Sequence, residues 1–120
     1  MRAFRPLLVS PFALVAAALI GSSASAQQMT AEGAARTASV TSAIVQFCPA
    51  YYIVDGPKAV KMSSASREMA LKWSPPGKGQ AMVDAEFERR FQEVQATGPS
   101  HWCQNIREVH RNLKTHLFLN

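Results

Sequence analysis

Apolar residues recur at helical spacing in four stretches of this chain, each separated from the next by residues that interrupt a helix. In the last stretch, Trp102, Ile106, Val109, Leu113 and Leu117 fall within an arc of about 80° at 100° per residue, with Cys103 at its edge. Gly98 and Pro99 break the preceding pattern and Ser100 offers an N-cap, which together predict a helix from about 101 to 117. Upstream, Val83, Phe87, Phe91 and Val94 share a second arc of about 80°, with Glu86 and Arg90 as an i,i+4 pair on the solvent side. The run Ser74-Pro75-Pro76-Gly77-Lys78-Gly79 that precedes it cannot continue a helix and reads as a connection.

Asp55 caps another segment, with Pro57 in its first turn and Met62, Ala65, Met69 and Trp73 as its stripe, predicting a helix over about 57–72. Residues 30–47 are rich in Ala, Ser and Thr, with Val40, Ile44 and Phe47 as the apolar face. Pro49 biases Cys48 toward an extended backbone and ends that helix near Phe47. Tyr51-Tyr52-Ile53-Val54 has the local character of a strand, but no second strand is evident, so it is expected to pack on the core as an apolar connection. The prediction is an all-α domain of four helices in up-and-down order, with a core of Phe47, Trp73, Phe87, Phe91, Trp102, Ile106 and Leu113.

The N-terminus has a different pattern. Arg2 and Arg5 precede an almost unbroken apolar run from Leu7 to Ile20, and Ala24-Ser25-Ala26 supplies small residues before a cleavage point. Residues 1–26 read as a secretory signal peptide and 27–120 as one small helical domain; the apolar run is too short for a span of about 20 residues. The expected destination is the periplasm, or secretion, with no transmembrane anchor after cleavage. The 13 basic and 8 acidic side chains become 11 and 8 once Arg2 and Arg5 leave, a net charge of +3. That is too low for the dense basic surface of a nucleic-acid binder.

Export changes how the cysteines are read. Cys48 and Cys103 are the only two, and in an oxidising compartment they predict one disulfide between the first and last helices. Neither C-x-x-C spacing nor a charged cluster points to redox or metal chemistry. His101, His110 and His116 share the last helical region, but no two are spaced i,i+3 or i,i+4 to chelate from one helix, so no metal site is assigned. There is no G-x-S-x-G, H-E-x-x-H, phosphate-binding loop or haem-attachment motif, and no catalytic residue or cofactor is assigned.

Two surface features are candidates for recognition. Arg107, Arg111 and Lys114 form a basic strip opposite the apolar arc of the last helix and suit an anionic partner surface. Val60 and Leu71 lie away from the stripe of their helix, where they either belong to a centrally buried helix or form an apolar contact for a partner. The leading expectation is a non-catalytic exported module that binds another protein. An acid- or stress-activated periplasmic chaperone is the alternative, since three histidines and eight carboxylates gain protons on acidification; a small-ligand or metal carrier ranks third.

Overall fold

The computed structural model describes residues 30–120; the segment read as an export signal lies outside the described residues. Four helices follow in order, α1 (Ala31–Phe47), α2 (Gly56–Trp73), α3 (Gly79–Thr97) and α4 (Pro99–Leu113), with a short 3₁₀ turn at Cys48–Ala50 after α1. The fold is all-α, with no strand among the described residues.

The centre of the fold is α1. Thr30 caps it, its Oγ1 accepting from the Gly33 N–H at 2.9 Å. Ala34, Ala35, Ala38, Ser39, Thr41, Ala43 and Ile44 are all buried, so most of the surface that α1 gives to its neighbours is methyl or hydroxymethyl. Such a helix lets others approach closely, and both α2 and α3 pack against it. The hydroxyls remain satisfied because Ser39 donates to the Arg36 carbonyl and Thr41 to that of Thr37, while Ser63 of α2 donates to the Ala38 carbonyl at 2.9 Å. At the other end of the α2–α3 pair, Gly79 is buried so close to Leu71 that a Cβ would lie 3.2 Å from the Leu71 Cα.

Close approach rearranges the expected core. Trp102 is buried and Phe47, Phe87 and Ile106 are partly buried, but Trp73, Phe91 and Leu113 are exposed. With α1 offering so little volume, the helices close up and the interior is filled by Ile44, Val83, Val94, Leu117, the alanines and the cysteines, leaving large side chains at the rim.

The last helix differs most from expectation. It begins at Pro99, directly after Gly98 at φ 93°, and stops at Leu113, four residues short of the predicted end. Lys114 adopts φ 57° and His116 φ 60°, so the chain leaves the helix through left-handed residues and turns back. Leu117 is fully buried as its spacing implied, but it arrives on the returning tail. There the Asp55 N–H donates to the Leu117 carbonyl at 2.8 Å and the Leu119 N–H to the Ile53 carbonyl at 2.8 Å, with an antiparallel bridge between Val54 and Phe118. Segment 51–54 therefore has the partner that its sequence alone did not reveal.

Cys48 and Cys103 form the expected disulfide, with both residues fully buried and their Cα atoms 5.5 Å apart. It joins the end of α1 to the first turns of α4 across 55 positions, next to Ile44, Val94, Trp102 and Leu117. Replacing both cysteines by serine is expected to lower unfolding free energy by about 4 kcal/mol in the loop-entropy estimate. Urea denaturation of the oxidised wild type against the double variant checks this; a loss below about 1 kcal/mol would mean that the tail and Trp102 hold α4 without it.

Candidate functional site

Three buried polar residues, Ser39, Glu86 and Arg90, form one connected arrangement. Glu86 and Arg90 of α3, expected on the solvent side, are 6% and 8% exposed. The Arg90 guanidinium donates to Glu86 at 3.2 Å, to Glu93 at 2.9 Å and, through Nε, to the Ser39 hydroxyl of α1 at 3.2 Å. The second carboxylate oxygen of Glu86 pairs with Arg89, and Glu93 also accepts from the Trp102 indole N–H at 2.7 Å. The Trp102 indole, aided by Arg90, holds the Glu93 carboxyl below the usual carboxylate range. The buried Arg90–Glu86 pair thus sits where α1 and α3 meet, with the exposed Arg89 and Glu93 as its outer partners. The reversal from the expected solvent side follows from Ser39, whose small side chain admits the guanidinium.

On the outside, α2 and α3 form the walls of a cleft with α1 as its floor. Val60 and Leu71, eleven residues apart, lie on one side of α2, and both are exposed, so the centrally buried reading of this helix fails. Val60 lines a cavity of about 240 Å³ with Ser42, Val45 and Gln46 of α1. Gln46 also lines the neighbouring cavity of about 350 Å³, between Arg67 of α2 and Val83, Phe87 and Phe91 of α3. Leu71 does not reach either cavity; it sits at the closed end, against Gly79. Arg67 stands on one lip of the cleft and Asp84 and Glu88 on the other. The aromatic wall was readable as the Phe87–Phe91 stripe of α3, but that stripe was assigned to the interior.

The basic strip of α4 is divided. Arg107 Nε donates to the main-chain oxygen of Asn120 at 2.9 Å, and its guanidinium lies 4.8 Å from the Tyr52 ring centroid, so this side chain is engaged with the returning tail. Arg111 is exposed, 3.8 Å from an equally exposed Glu108, and Lys114 is the C-cap of α4. The histidines are also dispersed. His101 and His116 are exposed, whereas His110 is buried, with Nδ1 2.8 Å from the Thr115 hydroxyl and its ring near Phe118. Burial pushes the His110 imidazole below the ordinary histidine range. Among the described residues no three His, Cys, Asp or Glu side chains converge as metal ligands, and no helix is long and apolar enough to cross a membrane.

No protein-family model matches this chain, and neither a curated protein nor a solved structure is significantly similar to it.

Two outcomes are expected from these buried groups. Arg90→Ala leaves Glu86 with the exposed Arg89 as its ion-pair partner and is expected to cost about 1–3 kcal/mol, measured by urea denaturation. For His110, a folded pKa below the unfolded one means that the unfolded chain binds the proton more readily. Its stabilising contribution is complete above the unfolded value of about 6.5 and is lost as pH falls through the lower folded value. Melting temperature should therefore fall with acidification below about pH 6.5, and His110→Gln should flatten that slope; equal slopes in both proteins would remove His110 as its source.

Proposed function

We propose that this protein is an exported, non-catalytic interaction module of the periplasm that receives an amphipathic helix of a partner protein in the α2–α3 cleft. The observation that carries this reading is the pair of cavities that adjoin at Gln46, with Val60 51% exposed in one and Phe91 46% exposed in the other. The two cavities share Gln46 and mix apolar side chains (Val45, Val60, Val83, Phe87 and Phe91) with polar ones, a surface of the kind that takes an amphipathic helix. The lips add orientation: Arg67 favours an acidic residue on the partner, and Asp84 and Glu88 favour a basic one on its opposite flank. The buried disulfide and the sequence of residues 1–26 support export to an oxidising compartment.

A second reading, an acid-activated chaperone, is favoured by one specific observation: buried His110 anchors the point where the tail turns back, and its protonation opposes that packing. Retention of the compact fold near about pH 3, without binding of a hydrophobic dye or protection of a client, would exclude it.

For the leading reading, native mass spectrometry of protein recovered from its host's periplasm should show a partner complex. Val60→Asp and Phe91→Asp, both at exposed positions, should each weaken that complex at least about tenfold while helicity and melting temperature are kept. Leu113→Asp, on a different face, should leave it intact. A complex indifferent to both cleft variants would overturn the assignment of the cleft.

A further inference from the structure

A second apolar cavity lies away from the cleft, where α4 runs beside the first half of α1. Its volume is about 270 Å³, near the lower end of small-molecule sites. Val40 of α1, Met62 of α2 and Ile106 of α4 are its partly buried lining, and Val109 and Leu113, the latter 65% exposed, stand at its edge. Ile106, Val109 and Leu113 belong to the apolar arc of α4 that periodicity directs to the core, and here they face a groove.

The threonine hydroxyls of this groove and His110 Nδ1 are already partnered. Thr37 Oγ1 donates to the Gly33 carbonyl at 3.1 Å and Thr41 Oγ1 to the Thr37 carbonyl at 2.8 Å, while His110 Nδ1 is engaged with Thr115. A peptide would bring backbone N–H and C=O groups that find few free partners here, and leaving them unbonded is costly. An aliphatic chain brings none. The one charged side chain of the lining is Arg36, exposed, with no carboxylate in ion-pair distance among the described residues. On the far side of His110, a further cavity of about 190 Å³ is lined by Arg111, Lys114 and His116, and no acidic residue lines either space. With Arg111 already 3.8 Å from Glu108, Arg36 and Lys114 are the charges that favour an anion beside this apolar slot.

We propose that the α1–α4 groove binds a single-chain aliphatic anion, such as a long-chain carboxylate, with its chain against Val40, Met62, Ile106 and Leu113 and its head group at Arg36. This site is separate from the cleft and does not depend on the cleft's partner. Binding strengthens about fourfold for each methylene buried, until the groove is full.

The test is isothermal titration of the purified protein with monomeric dodecanoate, dodecyltrimethylammonium and dodecyl maltoside, each below its micelle concentration. The expected result is one dodecanoate per protein, bound at least about tenfold more tightly than the other two, with affinity falling about fourfold per methylene from dodecanoate to octanoate. Arg36→Glu should remove the preference for the anion without weakening dodecyltrimethylammonium, and Leu113→Asp should weaken dodecanoate. Both positions are exposed, and circular dichroism checks that each variant is folded. Equal affinity for the three head groups would overturn the assignment of Arg36. Absence of dodecanoate binding would overturn the proposal, as would adsorption only to anionic phospholipid vesicles, which would make this a membrane-facing surface.

Discussion

Close approach to α1 is the constraint on which the rest of this structure depends. Its buried positions are mainly Ala, Ser and Thr, so α2 and α3 come near enough for Ser63 to bond the α1 backbone, and little interior volume remains for aromatic rings. Three consequences follow from that closeness. Phe91 and Trp73 move to the rim, the Phe91 side of the α2–α3 cleft stays open, and Arg90 crosses from α3 to Ser39 with its charge satisfied by Glu86 and Glu93.

The second organising contact is at the other end of α1. The disulfide sets α4 beside α1, Trp102 reaches Glu93, and the tail after Lys114 returns to pair with residues 53–55. None of these alone makes a large interface. Together they enclose Leu117 and bury His110, and they leave α4 in limited contact with α1, which creates the groove beside Arg36. A small domain has little apolar area to spare, and a covalent link permits α4 to stand partly off the bundle without being lost from it.

The two candidate surfaces differ in chemistry. The α2–α3 cleft has charged lips of both signs, whereas the α1–α4 groove is apolar with Arg36 as the one charged residue of its lining. That contrast is why a protein segment is assigned to one and an aliphatic anion to the other. His110 belongs to the second surface and to the tail, so its protonation acts on the α4 end of the molecule.

Much of this was legible along the chain. The connections, the Asp55 cap, the order of four helices and the cysteine pairing depend on local backbone chemistry and on a count of two, which need no knowledge of neighbours. Side-chain periodicity likewise marked Val60 and Leu71 as lying off the stripe of α2. What periodicity could not decide was which face meets a neighbour and how closely. Glu86 and Arg90 have the spacing of a solvent pair, yet are buried because Ser39 lies opposite them. Leu117 fits the arc of α4, yet arrives by a turn through two left-handed residues. Residues 51–54 have strand character whose partner lies more than sixty positions away. Helix identity comes from interactions within a few residues; burial, charge pairing and the two recognition surfaces come from contacts between segments far apart in the chain, and only the tertiary structure decides those.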